Sequence, residues 1–599
     1  MVKNTEEKAL SHAHLRKPMR MVKKVKLSGA EAVARTIKAC EVDYFFYVPG
    51  GMHEIFSQIE NLGVNMVLCR NEKAACNMAD GYSRITNKPS VCYAQNGAAA
   101  AILGSMMYEP MYAHSPVIAL TGSTPTKEKD QFTYQECYEM PYFESTCKFS
   151  VDVTDVSKLA EYIRTAIQIA VSGCPGPTHI SMHHDLDDTV AEMPEIYGNK
   201  QFFRIPPFRP RAELERIAEA VTLLCSAENP VIMCGSGVHL SGAYEEVRAL
   251  AEWLGIPVAT NYRGKGCFPE EHPLSVGVTG SYGSELANKV VRKADIVFFI
   301  ATRAGRHETN GLTAPERGAS KIIHLDIDPV VIGRNYKVDV PLVGDAKSTL
   351  QDLLSALKIR VAKPISRPRL LQQITKAIKE YESTIRPMMD SDAIPIKPQR
   401  IMKEVSKVLR ARDIVVSDTG HMLCWTSKLL KQKATGMSYI PCGGTLGSSF
   451  AMAIGVSFGA MEDQRVLNLI GDGGLAYNLS ELETVKRYND KHVPFVALVN
   501  NNSSFAQPRP AFTALSEKEV TRVSYCDLTE LNYAKIAEDF GCYGVRVERP
   551  GEIAEALRTA FESGKPALVD VVSDKTEYPP WGWLRAKLKK EACPSIPVY

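Results

Sequence analysis

The stretch Val466–Phe505 reads VLNLIGDGGLAYNLSELETVKRYNDKHVPFVALVNNNSSF. Val466–Ile470 is an uninterrupted apolar run, as expected of a strand buried on both faces. Gly471-Asp472-Gly473-Gly474 then predicts a tight turn. Leu479, Leu482 and Val485 share one helical face, so Leu479–Tyr488 predicts a helix. Val493–Val499 predicts the next strand, and Asn500-Asn501-Asn502 follows it at once. This is a βαβ unit with parallel strands, which places Asp472 and the Asn cluster at the carboxyl edge of a sheet, where open α/β sheets bind ligands. One carboxylate, one side-chain amide and nearby carbonyls form an incomplete oxygen site suited to Mg²⁺, which takes its remaining ligands from water and phosphates. The glycines allow close backbone approach to such phosphates, and free N–H groups at a helix start favour an anion.

Outward from this unit the same rhythm continues. Apolar runs at Tyr44–Val48, Val91–Ala94, Val117–Leu120, Pro230–Met233, Ala294–Ile300, Lys321–Leu325, Ile414–Ser417 and Ala567–Val572 alternate with helix-like segments. Such alternation predicts α/β architecture: three doubly wound parallel-sheet domains. The expected boundaries are a basic extension at 1–26, domains at 27–195, 205–360 and 399–575, a linker at 361–398 and a tail at 576–599. The first and third domains match in size and rhythm. The turn Gly235-Ser236-Gly237, followed by Gly242, reads equally as a dinucleotide loop or as a packing turn.

Composition bounds the function. The 599 residues are 45% hydrophobic and 23% charged, with a net charge of +3, which is ordinary for globular domains and too balanced for a nucleic-acid protein. No apolar run of about 18 residues predicts a membrane span. The 15 cysteines are dispersed, which fits reduced thiols and a cytoplasmic protein. The Lys-rich arm Met1–Lys26 reads as a solvated tail rather than a targeting signal.

GDG followed by an Asn pair about 30 residues later resembles the signature of the thiamine-diphosphate enzymes, and within them the acetolactate synthase large-subunit group. YVPGG (Tyr47–Gly51), NEKAACNMADGYSR (Asn71–Arg84), SPVIALTG (Ser115–Gly122), YQE (Tyr134–Glu136) and GCPGPTHISM (Gly173–Met182) extend the resemblance. So do LGIPVATNYRGKGCFPEEHPLSVG (Leu254–Gly277), IIHLDIDPVVIGRN (Ile322–Asn335) and VPLVGD (Val340–Asp345), in the same order. The resemblance implies pyrimidine-binding, central and diphosphate-binding domains. It implies thiamine diphosphate and Mg²⁺ as cofactors, with FAD left open, and a 2-oxo acid substrate such as pyruvate.

By the same resemblance, Glu72 is the catalytic carboxyl group that shares a proton with the cofactor's pyrimidine nitrogen. Asp472, Asn502 and the Ser504 carbonyl are the metal ligands, with Asn501 an alternative for Asn502. Gly471, Gly473 and Gly474 line the diphosphate, as do Thr419, Gly420 and His421 in DTGHM. Leu446 props the cofactor into a bent shape. Gly50, Gly51 and Gln135 lie near its reactive part. His53, Gln95, Asn96, His114, Lys148 and Gln507 are candidates for the substrate pocket, and Trp581 and Trp583 for a cap. The active unit implied is a homodimer or homotetramer with its site between subunits, open to a regulatory subunit and without nucleic-acid or membrane partners.

The chain departs from the family pattern where the acceptor and flavin would bind. Phe505-Ala506-Gln507-Pro508-Arg509-Pro510 lacks the usual Trp, Asn71 replaces a His, and Asn96-Gly97-Ala98 replaces GPG. Glu144 stands for an Arg, and Arg303-Ala304-Gly305-Arg306 for an Arg-Phe segment with paired Asp. Carboligation of acetolactate synthase type is the primary expectation. A decarboxylase or C–C lyase or hydrolase on the same scaffold is the alternative, followed by a catalytically silent paralogue.

Overall fold

In the central unit, neighbouring residues of one strand feed different cores. Val466 and Ile470 enter one buried cluster, while Leu467 and Leu469 enter another on the opposite face. Both faces of this strand are therefore covered, which is why its sequence shows no polar alternation. The computed structural model describes residues 24–509 and 526–579; Trp581, Trp583 and most of the basic extension lie outside them.

Three six-stranded sheets carry the chain. The first runs in the spatial order Asn65–Leu68, Tyr44–Tyr47, Ser90–Ala94, Val117–Ser123, Thr178–His183, Phe149–Val153, with every pair parallel. The third runs Tyr439–Pro441, Ile414–Ser417, Val466–Gly471, Phe495–Asn501, Ala567–Val572, Tyr543–Val547, also all parallel. Numbered within its own domain, each sheet has the order 2-1-3-4-6-5, so the likeness of the outer domains extends to topology. The middle sheet instead has the order 3-2-1-4-5-6, from Ser275–Val278 at one edge to Val340–Val343 at the other. A short antiparallel pair, Lys24–Ser28 with Val190–Pro194, closes the first domain, and its first strand starts inside the region expected as extension.

The outer domains of one chain share a single core. It forms where the helix Glu72–Thr86 crosses the helix Ser448–Gly459. The crossing is close because each helix offers a glycine: a Cβ on Gly81 would lie 2.1 Å from the Met452 carbonyl, and one on Gly455 would lie 1.9 Å from that of Met78. The segment 361–398 holds a long helix, Pro368–Met389, with only Ile374 fully buried.

The βαβ unit differs from its expected boundaries in two ways. Asp472–Leu475 forms one helical turn rather than a simple tight turn, and the following helix is Glu481–Arg487. The second strand is Phe495–Asn501, so Asn500 and Asn501 close the strand and Asn502 opens the loop. Among the described residues no helix is long and apolar enough to cross a membrane.

Candidate active site

The carboxyl edge of the third sheet gathers most of the predicted cofactor residues. Asp472 follows the strand Val466–Gly471 and is almost wholly buried. Burial pushes its carboxyl pKa up to about 6, against the opposing pull of the Gly473, Asp472, Ser503 and Ser504 backbone N–H groups. The loop 502–505 thus docks on the helical turn at Asp472. Phe505 seals the contact: its ring sits where a Cβ on Gly473 would lie, 2.6 Å from the nearest ring atom.

Strand alternation separates the two candidate asparagines. Asn501 turns its amide to Asp570 Oδ1 and the Leu531 carbonyl, both at 2.9 Å. Asn502 lies in the loop that meets Asp472, and its Oδ1 accepts from the Ser504 N–H at 3.1 Å. The Ser504 carbonyl accepts from Ala506 N–H at 2.9 Å, which leaves it a second lone pair. Among the described residues no three His, Cys, Asp or Glu side chains converge as a metal cage. A cation here would rely on one buried carboxylate with amide and carbonyl oxygens, a donor set suited to Mg²⁺.

Asp418 was missed as a site residue, although it follows the strand Ile414–Ser417 inside DTGHM. Both of its carboxylate oxygens accept the Gly447 N–H at 3.1 Å. Burial raises its pKa to about 7, opposed by the Gly447 and Ser449 backbone N–H groups. Gly420 has φ +75° and precedes the helix His421–Leu429. His421 is buried, and its Nε2 has no partner among the described residues. Burial, with a smaller push from Lys428, lowers its pKa to about 4, so the ring is neutral. An orphaned ring nitrogen beside the Thr419–Gly420 turn fits a diphosphate oxygen. Gln507 is exposed and reaches over this turn, its Oε1 3.1 Å from where a Gly420 Cβ would be. Leu446 is half-buried in the neighbouring loop.

The carboxyl edge of the first sheet forms a second constellation. Gly51 has φ +76°, and a Cβ there would lie 2.4 Å from His184 Nε2. Beside it, a Cβ on Gly50 would lie 2.4 Å from Gln95 Oε1. Tyr93 Oη ties this loop by donating to the Gly50 carbonyl at 2.6 Å. Asn96 Nδ2 donates to the Gln135 carbonyl at 3.1 Å, and Gln135 Oε1 is buried without a partner among the described residues. Glu139, another residue not anticipated, accepts from Gly97 N–H at 2.7 Å and Thr121 Oγ1 at 3.1 Å. His53 is exposed at the start of its helix. His184 and Glu139 lie far from the glycine motifs in the chain, and only the sheet edge brings them there.

Glu72 opens the helix Glu72–Thr86, capped by Asn71, whose Oδ1 accepts from Ala74 N–H at 2.9 Å. The start of this helix meets the third domain of its own chain. Glu481 Oε1 accepts from Arg70 N–H at 3.0 Å and Asn71 Nδ2 at 3.1 Å, and burial raises the Glu481 pKa to about 7. Among the described residues the Glu72 carboxylate has no hydrogen-bond or ion-pair partner. Among these residues no hydrogen bond joins Glu72, Gly50 or Gln135 to Asp472, Asn502 or His421 either. Among the described residues these groups thus fall at two separate sheet edges of the chain.

Two further substrate-pocket candidates have protein partners. Lys148 donates to the carbonyls of Ile169, Ser172 and Cys174 at 2.6–2.8 Å, which uses all three of its protons on the end of the helix Leu159–Val171. His114 lies away from both sheet edges, at the junction of the first and middle domains. Its Nδ1 meets Cys174 Sγ at 3.0 Å, and burial, with Arg303 and Arg263, lowers its pKa to about 3.

Comparison with known proteins agrees with this division. Residues 27–141 match the N-terminal TPP binding domain of the thiamine pyrophosphate enzymes, 217–353 the central domain, and 418–571 the C-terminal TPP binding domain. The chain belongs to the thiamine pyrophosphate enzymes. Among the members it resembles, a probable acetolactate synthase large subunit of Methanocaldococcus jannaschii is 35% identical, over 93% of this chain and 94% of that one. A counterpart from Methanococcus aeolicus is 33% identical over 92% of each chain. The acetolactate synthase isozyme 3 large subunit of Escherichia coli K12 is 27% identical, over 92% of this chain and 96% of that one. In this thiamine pyrophosphate enzyme, Gly50, Gly51, Gln95, Gln135 and Glu139 fall within the first matched TPP binding domain and Asp418, His421, Asp472 and Asn502 within the second, and thiamine diphosphate is the cofactor these domains imply.

Proposed function

We propose that the protein decarboxylates pyruvate and joins the remaining two-carbon unit to a second 2-oxo acid, in the manner of an acetolactate synthase. The carrying observation is the buried Asp472 carboxylate docked against the 502–505 loop, beside the unpartnered His421 Nε2. Asp472, Asn502 and the Ser504 carbonyl would hold Mg²⁺, and Thr419, Gly420, His421 and the 471–474 turn would hold the diphosphate. Bound thiamine diphosphate supplies the electron sink for loss of CO₂. Glu72 would hold a proton at the pyrimidine nitrogen, and Leu446 would press the cofactor into its bent shape, which is a gain of proximity. Gly50, Gly51, Gln95 and Gln135 would border the reacting carbon.

Because each chain presents its halves at different sheet edges, we infer a homodimer or a higher even assembly. In it, Glu72 of one subunit faces Asp472 of the next. The relatives are named large subunits, which supports a separate small subunit as partner.

FAD has no step in this scheme, since two pyruvates and a proton become acetolactate and CO₂ without change of redox state. The Gly235-Ser236-Gly237 turn packs on Ala301 and also lines a cavity with Asn261, Thr302, Arg303 and Asp326. A Cβ on Gly235 would lie 2.3 Å from the Ala301 carbonyl, and one on Gly237 would lie 2.6 Å from the Ala301 Cβ, so both glycines serve packing.

NMR of products from purified protein, Mg²⁺, thiamine diphosphate and pyruvate tests the reading. Acetolactate is expected. Acetaldehyde alone would replace it with a simple decarboxylase, and no turnover with cofactor bound would exclude pyruvate as donor.

A further inference from the structure

We propose that Glu109 is a positioning residue that holds the Leu446 loop in place from the first domain of the same chain. This rests on the reading of Leu446 as the prop beneath the cofactor.

Glu109 lies in the short helix Tyr108–Ala113 and is completely buried. Its Oε1 accepts from Gly443 N–H at 2.9 Å, Arg263 Nη2 at 3.0 Å and Arg84 Nη2 at 3.1 Å. Its Oε2 accepts from Thr445 Oγ1 at 3.3 Å. Gly443 and Thr445 belong to the third domain and lead directly to Leu446. Arg263 belongs to the middle domain, and Arg84 and Asp80 to the first. Arg84 also donates to Asp80 and, through Nη1 at 2.9 Å, to the Pro441 carbonyl at the end of the strand before the loop.

The cluster thus has two cations and two carboxylates, and its charges balance. Burying Glu109 would by itself raise its pKa, but Arg263 and Arg84 outweigh burial and hold it below the usual carboxylate value. A charged acceptor makes stronger hydrogen bonds to a loop than a neutral one. Arg263 also fixes the loop sterically: its guanidinium fills the space beside Gly443, where a Cβ would lie 1.7 Å from Nη2.

On the far side of Leu446, Asp418 takes the Gly447 N–H. Leu446 therefore sits between two backbone anchors, each a buried carboxylate. Asp418 comes from its own domain and Glu109 from another. In this arrangement the first domain has two separate duties. Its Glu72 edge serves a neighbouring subunit, while Glu109 braces the diphosphate-binding domain of its own chain.

The test compares Thr445→Val, Glu109→Gln, Leu446→Ala and the doubles with Leu446→Ala. Thr445→Val removes one hydrogen bond and leaves the charge cluster whole, so it guards against misfolding. Calorimetric titration of thiamine diphosphate at saturating Mg²⁺ gives affinity. NMR of the bound cofactor gives the rate of C2 proton exchange at saturation, which a loss of stability alone would not move. Thr445→Val and Glu109→Gln should each weaken binding about fivefold or more and slow exchange. Neither should add to the effect of Leu446→Ala, because they act through it. Unchanged affinity and exchange in Thr445→Val and Glu109→Gln, or losses that multiply with Leu446→Ala, would overturn the proposal while Leu446 keeps its role. If Leu446→Ala itself changes neither quantity, the reading of Leu446 falls and the proposal with it.

Discussion

Lys148 donates a 2.7 Å hydrogen bond to the Cys174 carbonyl, and its other two protons go to the carbonyls of Ile169 and Ser172. The ammonium closes a helix C-terminus, where the last carbonyls lack intrahelical partners and the dipole favours a cation. Lys148→Met should cost about 1 kcal/mol in chemical denaturation and leave the KM for the oxo acid within about twofold. A large rise in KM with unchanged stability would place Lys148 on the substrate path instead.

Glu139 predicts a pH signature in stability. Burial pushes its pKa from 4.5 up to about 7, against the hydrogen bonds from Gly97 and Thr121. The folded state then holds a proton that the unfolded chain releases above pH 4.5. This contribution is fully present below the unfolded value and is lost as pH rises through about 7. Glu139→Gln should therefore flatten the decline in melting temperature across that window. An unchanged slope would show that Glu139 ionises normally.

Glu72→Gln should bind thiamine diphosphate with little change yet lose C2 proton exchange by about 10²-fold or more, since an amide cannot relay the proton. Mixing Glu72→Gln subunits with Asp472→Asn subunits should restore part of the activity if each site draws on two chains. Mixtures no more active than the parents would contradict the shared site.

The ring of Phe505 leaves no room for a side chain on Gly473. Gly473→Ala should displace the 502–505 loop and weaken Mg²⁺-dependent cofactor binding about tenfold or more. Phe505→Leu should recover part of that loss in the double variant. Normal binding by Gly473→Ala would show that the loop does not depend on this contact.

Asp472→Asn removes the one carboxylate of the expected metal set. Cofactor affinity should fall, and the remaining affinity should no longer depend on added Mg²⁺. The corresponding experiment on the native protein is chelation, which should release the cofactor. Binding of thiamine diphosphate that survives chelation unchanged would argue against a metal at Asp472.

The α/β class, the βαβ unit and the residues at its strand ends are legible in the amino-acid order alone. These follow from local patterns: apolar runs of strand length, a 3.6-residue repeat, and glycines after strands. The shared 2-1-3-4-6-5 order of the outer sheets was legible only as a common rhythm, because strand order depends on contacts between distant segments. The fold separates Asn501, which meets Asp570, from Asn502 in the loop beside Asp472, since an extended chain alternates its faces and the end of the strand sets the phase. It also gave Lys148 and His114 their partners, because nothing local shows which carbonyls or which thiol a side chain will meet. It also supplied Asp418, Glu109, Glu139 and His184. A buried polar group is defined by its partners, and these come from other strands and other domains.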